Sequence, residues 1–228
     1  MDNYYINRLS AEKFKLCYEL ATPRVKQYLD AESEFVRQKI YPGNLVLELG
    51  CGYGRILPAI AGKARAVVGI DISLPSLLFG RETIKNVPNC FWAQMDALRL
   101  SFFDNSFDTV ICIQNGISAF QVDGKALVRE SLRVTRDKGT IIFSSYSEKF
   151  WEHRIEWFRI QSKAGLLGVI DDNKTRDGRI VCQDGFAAST VNSIQFLELT
   201  SEFNVDTNTI EVDESSLFCE IIPRKGHA

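Results

Sequence analysis

The sequence predicts a doubly wound α/β fold, in which helices cover both faces of a mostly parallel sheet. Short apolar runs alternate with segments of helical spacing from residue 45 to residue 145. Each run is apolar at successive positions, which is typical of parallel strands buried on both faces. The chain has 228 residues, of which 45% are hydrophobic, enough for one substantial core. We therefore expect residues 1–228 to form one domain.

The first part of the chain, residues 1–43, is predicted to be a helical lead-in. Apolar residues recur at helical spacing between residues 10 and 40, as at Leu16, Leu20 and Val25. Pro23 separates this pattern into two helices, because proline has no backbone N–H and clashes with the preceding turn. Turn-forming residues then lead into the first apolar run.

Five strands are predicted in the α/β part of the chain. They are the apolar runs at residues 45–49, 66–71, 90–94, 107–113 and 140–145. Helices are predicted from the glycine-rich turn after the first run to about Gly62, and over residues 123–135. Another helix is predicted to begin after Ser73, which can cap it, with Pro75 in its first turn, and to continue to about Asn86.

The last third of the chain differs in character. Residues 147–191 are predicted to be an inserted cap, with a helix over 148–163, a polar loop, and a β-hairpin that turns at residues 184–185. Asn192 and Gln195 have the spacing of a capping box, which predicts a further helix. Two final strands are predicted near residues 209–212 and 217–222.

The composition indicates small partners. A net charge of −2 and a pI near 5.8 provide no excess of basic surface for nucleic acid or anionic membranes. No apolar run approaches the roughly 20 residues of a membrane span, and the first residues lack the basic and apolar order of a signal peptide. We therefore expect a cytoplasmic monomer or homodimer that acts on a small molecule, with neither membrane nor nucleic acid as its partner.

The six cysteines are widely scattered along the chain, and most of them lie in apolar runs. No two have the CxxC spacing of a metal site, and none has a typical spacing to histidine. We therefore expect buried, reduced thiols and no metal site.

A glycine-rich turn, "LGCGYGR", follows the first predicted strand. Such a turn before a helix presents unpaired backbone N–H groups and the positive end of the helix dipole to a ligand at the sheet edge. A dinucleotide site has the spacing G-x-G-x-x-G, but counted from Gly50 the third glycine falls on Arg55. The spacing therefore disfavours a dinucleotide oxidoreductase.

An acid, Glu48, stands just before the glycines, where it suits a cationic ligand better than a pyrophosphate. The stretch "VLELGCGYGR" resembles the first motif of class I S-adenosylmethionine-dependent methyltransferases. The resemblance implies a Rossmann-like, seven-stranded sheet with an antiparallel last strand. It also implies S-adenosyl-L-methionine as cofactor and S-adenosyl-L-homocysteine as product. In this family, the acid at the position of Glu48 helps to orient the amino acid part of the cofactor.

Later motifs extend the resemblance over about residues 44–146. Asp71 ends the second predicted strand, where a carboxylate can accept hydrogen bonds from two ribose hydroxyls. The run "AQMDALRL" is similar to the family's adenine-binding segment, which implies that Asp96 contacts the adenine amino group and that the Ala97 backbone contacts a ring nitrogen. The implied cofactor-binding residues are Glu48, Gly50, Cys51, Gly52, Asp71, Ile72, Asp96, Ala97 and Gln114.

Candidates for contact with the methyl acceptor follow the fourth and fifth strands. Asn115 could orient an acceptor, although Asn115-Gly116 is equally typical of a simple turn. His153 is a candidate general base because histidine is the side chain that most often takes this role in enzymes, and the alternative is a surface histidine on an amphipathic helix. Aromatic residues of the lead-in either close over the cofactor or belong to the interior. Those considered, together with one arginine, are Tyr4, Tyr5, Tyr18, Arg24 and Tyr28.

The predicted function is methyl transfer to an oxygen, nitrogen or sulfur atom of a small molecule by in-line displacement, which requires mainly positioning. The run "IQNGIS" and the absence of Pro-Pro disfavour methylation of DNA bases. Two alternatives stay open. One is methylation of a protein or RNA group, which a basic groove around Arg154, Arg159 and Lys163 would support. The other is a non-catalytic, cofactor-binding module of the same fold.

Overall fold

A seven-stranded sheet forms the centre of the computed structural model, which describes residues 4–224. Its strands are β1 (Leu45–Leu49), β2 (Ala66–Asp71), β3 (Cys90–Gln94), β4 (Phe107–Cys112), β5 (Thr135–Tyr146), β8 (Val205–Val212) and β9 (Ser216–Pro223). The strand order is β3-β2-β1-β4-β5-β9-β8, with parallel pairs from β3 to β5. The last strand, β9, is antiparallel to both of its neighbours. The predicted seven-stranded, mostly parallel sheet with an antiparallel last strand is confirmed.

Helices cover the sheet and form the lead-in. They are α1 (Tyr4–Asn7), α2 (Glu12–Glu19), α3 (Pro23–Lys39), α4 (Leu57–Ala61), α5 (Leu74–Thr83), α6 (Gly116–Ala119), α7 (Gly124–Val134), α8 (Trp151–Lys163) and α9 (Ser193–Thr200). A 3₁₀ turn, Glu148–Phe150, precedes α8. The hairpin strands β6 (Ile180–Val181) and β7 (Ala187–Ala188) are short and antiparallel.

Local caps explain where several helices begin. Pro23 is the first residue of α3, and the Thr22 side chain accepts a hydrogen bond from the backbone N–H of Val25. Asn192 and Gln195 form the predicted capping box at the start of α9, since each side chain accepts a hydrogen bond from the other's backbone N–H.

Several element boundaries differ from the predictions, including the start of β8 at Val205 rather than near residue 209, and two further differences have a clear local cause. The helix after the first strand, α4, starts only at Leu57, because the glycines of the preceding turn have positive φ and keep it out of helical geometry. The fifth strand starts at Thr135 rather than at residue 140. Its first residues are mostly charged or polar, so the apolar pattern did not mark them, but Thr135 pairs with Phe107 ahead of a register shift.

Three apolar clusters fill the interior. Successive strand residues such as Val110 and Ile111 belong to clusters on opposite faces of the sheet, which accounts for the continuous apolar runs. The third cluster joins the lead-in to the cap and contains Tyr28, Phe150 and Trp157. The lead-in and the cap therefore share one core above the sheet. Within residues 4–224, no helix is both long and apolar enough to cross a membrane.

Candidate active site

A cavity of about 460 Å³ lies at the carboxyl ends of the parallel strands. Residues that end or follow β1, β2, β3 and β4 line it, together with residues of the lead-in and the cap. It is lined by all nine predicted cofactor-binding residues, namely Glu48, Gly50, Cys51, Gly52, Asp71, Ile72, Asp96, Ala97 and Gln114. Three carboxyl-bearing residues thus share one cavity, and their part in ligand binding stays a prediction.

The glycine turn brings its backbone to the surface of this cavity. Gly50 and Gly52 have φ values of 69° and 57°, which side chains other than glycine adopt at a cost. A Cβ atom on Gly52 would lie 2.7 Å from the ring of Phe14, and one on Gly50 would overlap the ring of Phe120. The rings of Phe14 and Phe120 therefore pack directly against the turn, and a side chain at either glycine would have to displace one of them.

Asp71 is held by backbone donors on both of its oxygens. Oδ2 accepts a hydrogen bond from the N–H of Gly52 at 2.8 Å, and Oδ1 accepts one from the N–H of Ser73 at 2.7 Å. Burial raises the pKa of Asp71, and these backbone hydrogen bonds oppose that shift. Each carboxylate oxygen can accept a second hydrogen bond, so Asp71 is fixed in place and keeps acceptor capacity toward the cavity.

Asp96 follows β3 and is exposed, and its Oδ1 accepts a hydrogen bond from the N–H of Leu98 at 2.9 Å. This bond turns the chain just after Asp96 and places the buried Ala97 against the cavity. The segment therefore presents a carboxylate and a small residue side by side.

Glu48 is buried at the end of β1, and its Oε2 has no hydrogen-bond partner among the described residues. Burial raises the pKa of Glu48 to about 8. The Arg55 guanidinium opposes this shift, while Asp71 and Glu32 add to it. At neutral pH the unliganded site therefore holds Glu48 mainly as the neutral acid. A cation bound beside it would favour the carboxylate.

Replacement of Glu48 by glutamine should change the pH dependence of stability. The folded pKa lies above the value of about 4.3 in an unfolded chain, so wild-type stability falls as the pH rises from about 4.3 to about 8. Glu48→Gln cannot ionise. Between pH 5 and pH 8.5, the Tm of both proteins is compared. We expect the fall in Tm of the variant to be smaller than that of the wild type by at least about 3 °C.

Thermal unfolding of both proteins without ligand, followed by circular dichroism, measures this difference. Glu156→Gln is the matched control, since Glu156 is exposed on α8, and it should follow the wild-type pH dependence. Parallel Tm curves for Glu48→Gln and the wild type would contradict the raised pKa.

A buried acid that the sequence analysis missed, Glu32 on α3, supports the loop after β4. Its Oε1 accepts hydrogen bonds from the Gln114 N–H at 3.0 Å and from the Ser144 hydroxyl at 2.6 Å. Its Oε2 lies 3.6 Å from Nη2 of Arg55. Glu32 falls within the apolar stripe of α3, four residues from both Tyr28 and Val36. An acidic residue at a position where the helical pattern predicts burial was the signal in the sequence that could have identified Glu32.

Gln114 connects this network to the cavity. Its backbone is left-handed, with φ of 56°, and its side-chain oxygen accepts a hydrogen bond from the Tyr18 hydroxyl. Its side-chain nitrogen is buried without a partner among the described residues. The lead-in thus contacts the loop after β4 twice, through Tyr18 and through Glu32.

Asn115 does not line the cavity, which corrects the expectation that it contacts an acceptor. Its side chain is buried, donates to the Ser189 carbonyl at 2.8 Å and accepts from the Ser145 hydroxyl at 2.8 Å. The Ser145 oxygen in turn accepts from the N–H of Val191 at 2.8 Å. Asn115 therefore ties the end of the cap to β5 and acts as a positioning residue.

Substitution of Asn115 by alanine should lower stability by about 2 kcal/mol, because two buried hydrogen bonds are lost and alanine disfavours φ of 60°. Asn105→Ala is the matched control, since Asn105 also has positive φ, at 55°, and its side chain is exposed. Urea denaturation of both variants measures the difference. Equal losses would mean that the hydrogen bonds of Asn115 contribute nothing.

His153 is exposed on α8, contacts the Phe150 ring and does not line the cavity, so the structure does not support a base role for it. The helix phase instead turns Trp157, Phe158 and Gln161 toward the cavity. Sequence spacing placed His153 beside the site, but the docking of α8 points it outward.

The basic groove that would support methylation of a protein or RNA group does not form around α8. Arg154 is fully buried and donates to the carbonyls of Gly178 and Ala188, at 2.7 and 3.1 Å. Arg159 is exposed and lies 2.9 Å from Asp172, and Lys163 is exposed as well. The three cations therefore do not share a surface. In the described part of the chain, no group of three or more His, Cys, Asp or Glu side chains is placed to hold a metal ion.

Comparison with known proteins identifies proteins that are similar to this chain. Residues 46–139 match the family model described as a methyltransferase domain. The 2-methyl-6-phytyl-1,4-hydroquinone methyltransferase of Synechocystis sp. is 29% identical over 149 residues, which cover 57% of this chain and 46% of that protein. The demethylmenaquinone methyltransferase of Renibacterium salmoninarum is 35% identical over 106 residues, which cover 46% of this chain and 43% of that protein.

A solved structure shares the fold. It is a SAM-dependent methyltransferase from Methanosarcina mazei, with a TM-score of 0.61 and 15% identity, covering 84% of this chain and 98% of that one. The chain spans about half the length of the curated relatives that it matches.

Proposed function

We propose that the chain, whose residues 46–139 match the model of a methyltransferase domain, is a class I S-adenosylmethionine-dependent methyltransferase that transfers the methyl group of S-adenosyl-L-methionine to a small-molecule acceptor. One observation carries the proposal. Glu48, Asp71 and Asp96, which end or follow three adjacent parallel strands, line one cavity. Carboxylates in that arrangement suit a ligand that combines positive charge with several hydroxyl and amino donors.

The residues present fit this cofactor. Glu48 Oε2 is buried without a partner among the described residues, which leaves an acceptor for a cationic group. The backbone of Gly50 and Gly52 lines the cavity in a positive-φ conformation that glycine adopts readily. Asp71 retains acceptor capacity on both oxygens. A buried acid without a partner among the described residues, a glycine turn at the cavity surface and a fixed carboxylate together suit an adenosyl ligand with a positive charge.

We assign the parts of the cofactor as follows. Asp71 would accept hydrogen bonds from the ribose hydroxyls, and Asp96 with the Ala97 backbone would hold the adenine. Glu48 and Gln114 would hold the amino acid part. When bound, the cofactor supplies a methyl group already activated by a sulfonium, and S-adenosyl-L-homocysteine is the product. The protein's own task is therefore to orient the acceptor and exclude water, and proximity and orientation can supply much of the rate enhancement.

A small-molecule acceptor is supported by the way the site is covered. The lead-in and the cap both contribute side chains to the cavity, among them Tyr4, Tyr18 and Phe158. A large macromolecular group would have to displace these elements. The names of two relatives, a hydroquinone methyltransferase and a demethylmenaquinone methyltransferase, also support a small acceptor.

Calorimetry with S-adenosyl-L-methionine and with NAD tests cofactor choice. We expect binding of the methyl donor and none of NAD, and binding of NAD alone would overturn the proposal. Incubation with methyl-labelled donor and with small-molecule, protein and RNA fractions then tests the acceptor. Label in the small-molecule fraction is the expected result. Label only in protein or RNA would overturn the acceptor class, and donor binding without uptake in any fraction would favour a non-catalytic binding module.

A further inference from the structure

Six aromatic side chains from the lead-in and the cap line the cavity and form what we call the aromatic collar. They are Tyr5, Phe14, Tyr18, Trp157, Phe158 and Phe186. They come from α1, α2, α8 and the loop before β7, so no single element supplies the collar. None belongs to the glycine turn or to the loops that carry the three carboxyl groups.

The collar is a closed circuit of ring contacts. Its six successive pairs, with their centroid separations, are Tyr5–Phe14 at 6.0 Å, Phe14–Tyr18 at 5.2 Å, Tyr18–Trp157 at 6.1 Å, Trp157–Phe158 at 6.0 Å, Phe158–Phe186 at 5.9 Å and Phe186–Tyr5 at 6.2 Å. Four of the six pairs are edge-to-face. Among the described residues, Phe14 makes no ring contact with Phe158 across the circuit, and Tyr18 makes none with Phe186.

The collar is held closed from outside. The Tyr4 hydroxyl donates to Oδ2 of Asp184 at 2.7 Å, and Arg8 lies 3.1 Å from the same oxygen. The Trp157 indole N–H donates to the Cys17 carbonyl at 2.8 Å. These bonds link the lead-in to the cap on two sides. The aromatic surface is therefore a built feature rather than a loose group of rings.

Ring-lined surfaces of this kind bind two classes of guest, which are planar aromatic molecules and organic cations. The positive charge of Arg55 beside the collar favours one of these two classes. The Arg55 guanidinium carbon lies 5.3 Å from the centre of the Tyr18 ring, and Arg55 also lines the cavity. With Glu48, Asp71 and Asp96 assigned to the cofactor, Arg55 would repel a cationic guest beside Tyr18 and would not repel a neutral or anionic aromatic guest.

A polar group faces the same space. Gln161 lies on α8, within one turn of Trp157 and Phe158, and lines the cavity with only 4% of its surface exposed. Because Gln161 lines the cavity, its amide is placed to donate a hydrogen bond to a polar group of a ligand or to accept one from it.

We infer that the methyl acceptor is a planar aromatic molecule, neutral or anionic, whose rings lie within the collar and whose polar substituent contacts Gln161. This inference rests on the proposed function, because it assigns the collar to the acceptor of that reaction.

Three naphthalene-sized probes separate the classes of guest. They are 1-naphthol, its saturated analogue decahydro-1-naphthol, and the cation 1-naphthylmethylamine. Each is titrated by calorimetry into the full chain in the presence of S-adenosyl-L-homocysteine, whose own binding is measured first. We expect 1-naphthol to bind at least about tenfold more tightly than the saturated alcohol and than the cation.

Collar variants give the second arm of the experiment. Phe186→Leu and Phe158→Leu, made as separate variants, should each weaken 1-naphthol binding about three- to tenfold. Neither should change the affinity for S-adenosyl-L-homocysteine. Phe102→Leu is the matched control, because Phe102 packs edge-to-face on Phe107 and does not line the cavity. Gln161→Leu should weaken 1-naphthol binding while the affinity for the saturated hydrocarbon decalin holds or rises.

The outcomes are distinguishable. If S-adenosyl-L-homocysteine does not bind, the proposed function fails. If it binds, the proposed function stands, and three results would show that the inference on the acceptor is wrong. They are equal affinities for 1-naphthol and its saturated analogue, tightest binding of the cation, and 1-naphthol affinities of both collar variants equal to that of Phe102→Leu.

Discussion

Asp71→Asn is expected to weaken binding of S-adenosyl-L-methionine about 100-fold, because it removes charge-assisted acceptors for the ribose hydroxyls. It also disturbs the site itself. The two Asp71 oxygens accept hydrogen bonds from the Gly52 and Ser73 N–H groups, and an asparagine can accept only one of them. Its NH₂ group would then face a backbone N–H, which moves the glycine turn away from its position beside the cavity.

Calorimetric titration of the variant with the methyl donor measures this loss. Asp108→Asn is the matched control, because Asp108 likewise accepts from a backbone N–H, that of Leu45, and from Arg136, each at 2.7 Å. Asp108 lies at the start of β4, the opposite edge of the sheet from the cavity. We expect the control to keep wild-type affinity. A similar loss in both variants would point to general destabilisation and would refute a ribose contact by Asp71.

Glu32→Ala should destabilise the fold by about 3–5 kcal/mol, the range for removing one partner of a buried ionic network. The Gln114 N–H and the Ser144 hydroxyl would both lose their acceptor, and Arg55 would lose a neighbouring acid. For a domain of this size, the predicted loss corresponds to a fall in Tm of about 6–20 °C.

Urea denaturation of the wild type and variant gives the free energy of unfolding. Glu34→Ala is the control on the same helix, since Glu34 is half exposed and pairs with Arg37 at the surface; we expect a loss below about 1 kcal/mol. Glu32→Gln, which retains an oxygen for Gln114 and Ser144, should lie between the two. If Glu32→Ala proves no worse than Glu34→Ala, the network does not stabilise the fold.

The Glu32 network also explains why the lead-in matters to the site. Gln114 is held from α3 through its backbone and from α2 through its side chain. Loss of either contact would free a left-handed residue whose conformation the network maintains. A defect in α3 is therefore expected to reach the cavity through this loop.

Some features of the site follow from the order of residues along the chain. Apolar runs predicted the strands, and the carboxyl ends of parallel strands meet at one edge, so residues after β1, β2 and β3 had to lie close together. The positions of Glu48, Asp71 and Asp96 beside one cavity were predictable for that reason. The glycine turn was likewise predictable, since positive φ at Gly50 and Gly52 is a local requirement.

The tertiary structure decided the features that depend on how separate elements dock. His153 and Asn115 are in the predicted segments, but the rotation of α8 turns one outward, and the end of the cap binds the other. Glu32 reaches partners 82 and 112 residues away, and the collar joins Tyr5 to Phe186. Periodicity shows that a helix has a buried face, but the partner of each buried side chain is set by packing between elements distant in sequence, which local patterns do not encode.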